Sequence, residues 1–356
     1  MTRTIISFII LLASAALYGQ NYSAQIVTIP APSLEGNILG DTSAQCIEVY
    51  LPKSYTENER TYPVIYFLNG YGSEVGGGWF TSSLDQYFNE NPAHEVIFIV
   101  AHGRNKLGGS FYVNSPVTGN WEDYIVTDLV EFVDSNYRTI AHAASRSITG
   151  HSMGGFGCLY IATRHPDVFN SVYSHSPGLF DRAGLEESQM FDSKEIVESH
   201  FQFFSSLEKT APDKAHEKML EKARTNDDWV LTFTMAYGVA FCPTRNKNAP
   251  YMNYPKNSDF VTDTIAWKQW HDGFGFIANH IKKYKENLNS LSFIGIDCGY
   301  HDNFPWIYKG TKYLSEVFNE HQINHSLILH QGDHGNMLLR QIEESMFPLI
   351  TKKLVY

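Results

Sequence analysis

The sequence predicts an α/β fold, a mostly parallel sheet flanked by helices with a helical insertion at about residues 179–272, and three observations carry that expectation. Val64–Leu68 (VIYFL) and Val96–Ala101 (VIFIVA) are short unbroken apolar runs rich in β-branched and aromatic residues, the pattern of strands buried on both faces. Between Trp121 and Tyr137 the apolar residues Tyr124, Ile125, Leu129, Phe132 and Val133 recur at helical spacing. Ser147–Thr149 then leads into Gly150, so strand, helix and strand alternate. Phe293–Ile296 and His325–Leu329 extend the βα rhythm towards the end of the chain.

The remaining elements follow from local signals. Cys46, Ile47, Val49 and Leu51 lead to Pro52 and read as a strand ending in a turn. The runs at residues 64–68 and 96–101 end in loops at Asn69-Gly70 and His102-Gly103. Within the insertion, Asp192 and Glu195 form an expected capping box ahead of Ile196, Val197, His200, Phe201 and Phe204, and a second helix is expected after Pro212. A Pro- and Tyr-bearing loop, Cys242–Pro255, and the pair Trp267 and Trp270 follow. The segment reads equally as a lid over a site and as a peripheral helical layer.

Composition narrows the function classes. The 356 residues are 43% hydrophobic and 18% charged, enough apolar material for a large core and too much for disorder. Lys and Arg number 27 against 38 Asp and Glu, a formal net charge of −11, and no basic run supplies the footprint a phosphate backbone requires, so nucleic acid is not an expected partner. Arg3, the apolar run Ile5–Leu17 and the small or polar residues that follow read as a secretory signal peptide over residues 1–20. That run is too short to span a bilayer, so a secreted or periplasmic protein without stable membrane insertion is expected, its mature unit starting at about residue 21. Cys46, Cys158, Cys242 and Cys298 are too widely spaced for a zinc pattern, and free thiols and disulfides are equally compatible with their spacing.

Gly150-His151-Ser152-Met153-Gly154 matches G-x-S-x-G directly after an expected strand and before an expected helix, Gly155–Arg164. So sharp a turn needs small residues around the serine, and the helix start behind it offers free N–H groups to a developing oxyanion. A serine nucleophile requires a base and a group that orients the base, in the chain order Ser, acid, His. The loop His330-Gln331-Gly332-Asp333-His334 supplies the base, His334, with His330 as runner-up. The loop Asp297 to Phe304 supplies the acid, Asp302, while Asp297 is expected to cap or brace that loop. Met153 and Tyr71, the latter in Leu68-Asn69-Gly70-Tyr71-Gly72, are the expected oxyanion amides. Asn69, Trp79 and Tyr251 are the candidate substrate contacts. Gly76-Gly77-Gly78 reads as a flexible rim, because it lacks the lysine and hydroxyl of a nucleotide loop.

Taken together these residues resemble the esterase D-like esterases, a group of α/β-hydrolases that includes feruloyl and acetyl-xylan esterases, S-formylglutathione hydrolases and mycolyltransferases. The resemblance rests on Val49–Pro52, Pro63–Gly70, Gly108–Tyr112, Asn120–Tyr124, Tyr137–Thr139, Gly150–Gly155, Cys298-Gly299 with Asp302, and Gly332–His334. It implies the same nucleophile, acid, base and amides. Asn69 departs from the His or Asp that many members carry before the glycine, and Glu122 resembles a loop-bracing position, with a solvated helix start as the other reading. The expected activity is hydrolysis of carboxylic esters through an acyl-enzyme, without metal or organic cofactor, on a small-molecule or polysaccharide ester bearing acetyl or feruloyl groups. An acyltransferase or thioesterase of the same family and a non-catalytic glycan-binding protein are the alternatives.

Overall fold

The computed structural model describes residues 21–244 and 248–356, so the signal-peptide reading of residues 1–20 lies outside the described residues. Eight strands form the central sheet: β1 (Tyr22–Pro30), β2 (Ala44–Pro52), β3 (Val64–Leu68), β4 (Ile97–Ala101), β5 (Arg146–His151), β6 (Ser171–His175), β7 (Phe293–Gly299) and β8 (Ser326–His330). Their order is β1-β2-β4-β3-β5-β6-β7-β8. β2 runs antiparallel to both neighbours and every other adjacent pair is parallel.

Strand alternation divides the core into two layers. Val64, Tyr66, Leu68, Ile97 and Ile99 face one layer, and Ile65, Phe67, Phe98 and Val100 face the other. The second layer is closed by α1 (Thr81–Glu90) through Leu84 and Phe88, and by the C-terminal helical segment over residues 338–350 through Ile342, Met346 and Phe347. The first is closed by α2 (residues 121–136, its middle widened into π-helical turns over Tyr124–Leu129) and α3 (Met153–Arg164). Between β6 and β7 the chain forms α4 (Lys194–Glu208), α5 (Pro212–Thr225), α6 (Trp229–Phe241), α7 (Thr264–Phe274), α8 (Ile277–Lys283) and α9 (Lys285–Ser290); α10 (Pro305–Glu320) follows β7.

Several local expectations change. The N-cap of α4 is Ser193, whose hydroxyl accepts the Ile196 N–H at 3.3 Å, one residue later than the Asp192 box. Serine here reaches the amide of the third helical residue, leaving Asp192 outside the helix. The Gly76–Gly78 rim is tied down, because the buried Glu48 carboxylate accepts the Gly76 and Gly78 amides at 3.2 and 2.9 Å. All four cysteines are free thiols.

The carboxyl ends of β6, β7 and β8 carry a buried polar group. His175 Nδ1 stands 2.7 Å from Asp297 Oδ2, both residues 1% exposed, and His330 Nε2 lies 3.8 Å from Asp297 Oδ1. Asp297 is thus a tie between strands inside the sheet, where a brace for the following loop was expected: its place within β7 points it at β6 and β8. Burial alone would push its pKa up. The adjacent His175 charge and its hydrogen bond, with the nearby His330, outweigh that and hold it down at about 2.

Two predictions follow from this architecture. A Cβ on Gly154 would stand 1.9 Å from the Leu68 carbonyl oxygen, whereas one on Gly335 would meet nothing within 4 Å. Urea denaturation should therefore place Gly154→Ala about 2–4 kcal/mol below wild type and Gly335→Ala within about 0.5 kcal/mol of it. Because the Asp297 carboxyl titrates lower in the folded than in the unfolded chain, its contribution is complete above about pH 4 and is lost as pH falls towards 2. Stability measured across that window should fall less steeply in Asp297→Asn, which should also lower stability at pH 7 by about 3 kcal/mol through the stranded His175.

Candidate active site

Three loops leave the carboxyl ends of β5, β7 and β8 on the same edge of the sheet, where parallel strands deliver their connections side by side. The first is hardly a loop: β5 passes into α3 through Ser152 alone, at φ +58° and ψ −115°. Such a conformation costs a non-glycine residue about 1–3 kcal/mol and persists only where the surroundings fix it. Here Ser152 N–H donates to the His175 carbonyl at 3.0 Å, and its own carbonyl accepts the Phe156 and Gly178 amides, each at 3.0 Å. Gly150 and Gly154 permit the turn, since a Cβ on either would fall within 2.3 Å of backbone oxygen.

The other two loops bring His334 and Asp302 to that serine. His334 Nε2 is 2.9 Å from Ser152 Oγ, and His334 Nδ1 is 2.8 Å from Asp302 Oδ2. Asp302 is 7% exposed, and its second oxygen accepts the Phe304 N–H at 2.8 Å. With the carboxylate accepting from Nδ1–H, the Nε2 lone pair faces the serine hydroxyl, the arrangement in which imidazole can take its proton. The Phe304 ring packs edge-on against the imidazole at 5.1 Å and restrains its tilt. His330, the runner-up base, sits in the Asp297 group and not at the serine.

Tyr71 and Met153 flank the same point. A Cβ on Gly70 would be 3.5 Å from Ser152 Cβ, which puts the Tyr71 amide beside the nucleophile position. The Tyr71 ring and Met153 Sδ both press on Gly109, 2.5 and 2.6 Å from where its Cβ would be. Among the described residues neither amide donates to a protein acceptor, so both N–H groups are free for an oxyanion. The Tyr71 hydroxyl donates to the Leu107 carbonyl at 2.6 Å, and burial pushes its pKa well up, so it stays protonated.

The three expected substrate contacts fare differently. Asn69 is buried and its amide donates to the Glu74 carbonyl at 2.9 Å, which makes it a brace for the 70–74 loop. Tyr251 is 4% exposed and hydrogen-bonded to His216 Nδ1 at 2.9 Å; its ring is committed to packing within the insertion and offers no face to a ligand. Trp79 is 71% exposed and folds over Gly77, on the side of the sheet held by Glu48. In place of these, an aromatic wall runs outward from the imidazole: Phe304, then Trp229 at 6.2 Å and 43% exposed, then Phe233 at 6.3 Å, which meets Tyr71 at 4.9 Å.

His151 also escaped the sequence reading, although it lies inside the motif. Its Nε2–H donates to the His334 carbonyl at 2.6 Å, and the two rings approach to 4.8 Å. Burial, reinforced by the neighbouring His334, pushes its pKa down to about 4, so at neutral pH it is an uncharged donor pinning the backbone of His334. Further out, Glu122 is 2% exposed and accepts from Arg164 at 2.5 Å and His165 at 2.7 Å, which removes the solvated-helix reading. Although burial raises its pKa, those two partners more than compensate and hold it below the usual range. Among the described residues no three His, Cys, Asp or Glu side chains converge as metal ligands would. Nor, among the described residues, is any helix long and apolar enough to cross a membrane.

Comparison with known proteins adds the family. The family model described as "Putative esterase" matches residues 43–274. Esterase Rv1288 of Mycobacterium tuberculosis (strain ATCC 25618 / H37Rv) is 30% identical over 135 residues, 36% of this chain and 28% of that relative's length. Among solved structures, a ferulic acid esterase superposes with a TM-score of 0.59 at 18% identity, covering 94% of this chain and 100% of the other. Fluorophosphonate-binding serine hydrolase F of Staphylococcus aureus, solved with substrate bound, gives 0.57 at 14%, covering 94% and 99%. At those identities the structural likeness shows the fold, the α/β-hydrolase arrangement already read from the strand order. With well over half of its length matched by the family model, the chain belongs to the esterase family.

Proposed function

We propose that this esterase is an exported serine hydrolase that cleaves acyl esters of carbohydrates through a covalent acyl-enzyme. The observation that carries the mechanism is the continuous hydrogen-bonded line from Ser152 Oγ through His334 to Asp302, at 2.9 and 2.8 Å, seated on a strained turn. Ser152 Oγ attacks the ester carbonyl as its proton passes to His334 Nε2, and the resulting oxyanion takes the Tyr71 and Met153 amides. Collapse breaks the bond to the alcohol, which leaves with the proton from Nε2. Water, deprotonated by the same nitrogen, then releases the acid and restores the serine. Asp302 holds the imidazole's tautomer and offsets its transient charge.

The carbohydrate reading is supported by the aromatic wall of Phe304, Trp229 and Phe233, since flat apolar faces next to a base suit a sugar ring or an aryl acyl group. A neighbour on the same fold is named a ferulic acid esterase, and ferulic acid is an aryl acid of the kind such faces suit. Export rests on the apolar run Ile5–Leu17 behind Arg3. The helices between β6 and β7 belong, in this reading, to an insertion in one catalytic domain spanning residues 21–356.

Intact-mass measurement after treatment with a serine-directed fluorophosphonate tests the nucleophile: one adduct on wild type and none on Ser152→Ala are expected, and an adduct retained by the variant would remove the assignment. Asp302→Asn should lower kcat by about 10⁴-fold with the fold intact by circular dichroism, as loss of an orienting carboxylate does in serine hydrolases. His151→Ala should lower kcat about 10- to 100-fold with little change in KM, since it frees the backbone that carries the base. His151→Gln, which keeps a donor, should recover most of that loss.

A further inference from the structure

Outward from Tyr71, a cavity of about 1090 Å³ opens between the loop that follows β4 and helix α5, with Thr232 of α6 at its base. Tyr71, whose peptide stands beside Ser152, is one of its lining residues. The Tyr71 hydroxyl is bonded to the Leu107 carbonyl, so the loop carrying Lys106 is anchored to the residue whose amide faces the nucleophile. Its volume exceeds what an acetyl or feruloyl group needs and is of the size that takes several linked rings.

The charge of this cavity runs against that of the molecule. In a chain of net charge −11, its walls carry Arg104, Lys106, Lys214, Lys218 and Arg224 against Glu217 and Glu221. Arg224 is paired with Glu221, and Arg104 with Glu74. Lys218 lends its ammonium to Ser206 Oγ at 2.8 Å. Lys106 and Lys214 are exposed and form no salt bridge among the described residues, one on the loop and one on the helix; the Lys106 ammonium lies 3.0 Å from where a Cβ on Gly40 would be, close enough to Asp41 to favour that carboxylate's charged form. Five cationic side chains against two carboxylates leave the cleft with a surplus of positive charge, which makes its potential positive.

We infer that this cleft binds the saccharide portion of an ester substrate through an anionic group, carboxylate or sulfate, held between Lys106 and Lys214. The inference rests on the ester-hydrolase reading and names the substrate class for it: acyl esters on acidic oligosaccharides in preference to neutral ones. Both lysines are solvent-exposed, so the recognition is a screened Coulomb effect and must weaken with salt.

The test compares acetate release from acetylated neutral xylo-oligosaccharides, acetylated oligogalacturonides and acetylated sulfated oligosaccharides, in 25 mM and 500 mM NaCl. Calorimetry alongside measures binding of the corresponding unacetylated oligosaccharides to Ser152→Ala. Wild type should favour at least one anionic series over the neutral one by about tenfold in kcat/KM at low salt, the difference residing in KM. That ratio should fall to about threefold or less at high salt and in the double variant Lys106→Gln, Lys214→Gln. Which anionic series responds distinguishes carboxylate from sulfate. Equal kcat/KM for neutral and anionic series, or a preference that survives the double variant, overturns the proposal while leaving ester hydrolysis intact. If no ester and no 4-nitrophenyl acetate is turned over, the hydrolase reading fails. The binding measurement then still decides the cleft: tighter, salt-sensitive binding of the anionic oligosaccharide supports it, and equal binding overturns it.

Discussion

The close approach of α3 to the carboxyl end of β3 is the constraint from which the site follows. Gly154 lets the helix backbone come within reach of the Leu68 carbonyl, a distance no side chain could share. With the helix so near, the chain leaving β5 must turn within a single residue, and Ser152 takes a positive φ. The same proximity sets the Gly70-Tyr71 peptide against the first turn of α3, and two free amides meet beside one hydroxyl. The strain is offset by what lies beneath it: Phe156, Leu159, Ile161 and Ala162 bury the helix against the sheet, and hydrogen bonds hold Ser152 on both sides. The position of Ser152 and the helix's burial are thus one geometric fact.

Two acid–imidazole pairs stand near each other at this end of the sheet, and only one has a partner to act on. In Asp297–His175 the second ring nitrogen faces Met346 Sδ at 3.4 Å, a weak acceptor with no proton to give up, and both residues are sealed from water. In Asp302–His334 the second nitrogen faces a hydroxyl, and the imidazole retains some exposure. The two acids lie five positions apart in the chain. Asp297 is inside β7, where its neighbours are strands; Asp302 lies beyond the strand end, where its neighbours are the other loops. Chemistry follows from position relative to the strand end more than from residue type.

That distinction also explains what the sequence reveals. β3 and β4 are legible because strands covered on both faces are apolar throughout, and the candidate triad is legible because each member stands past the carboxyl end of a strand. β1 is an edge strand with Ile26 exposed, so it lacks a clear apolar signature. β6 carries serines at buried positions, Ser174 donating to the Gly155 carbonyl, and its polarity hides it. α6 is buried on nearly every side and therefore shows no 3.6-residue alternation. Contact residues fail for a further reason: Asn69, Trp79 and Tyr251 have suitable side chains, but which way each points depends on the Asn69 bond to Glu74, the Glu48 bonds to the glycine rim that precedes Trp79, and the Tyr251 bond to His216, which no local pattern encodes.

Reaction and recognition are accordingly built from different parts of the chain. Neighbouring parallel strands lie about 4.8 Å apart, so residues just past their ends converge without help from the rest of the molecule. A segment inserted between β6 and β7 emerges on that same edge and has little choice but to cover it. Hence the walls around the triad, Trp229 and Phe233 from α6 and the cations of α5, come from the segment least constrained by the sheet. Tyr71 is the exception that joins the two parts: its amide faces the nucleophile, its ring packs on Phe233, and its hydroxyl holds the loop that bears Lys106. Through that one residue, the walls of the cleft and the peptide beside Ser152 are set by the same rigid piece.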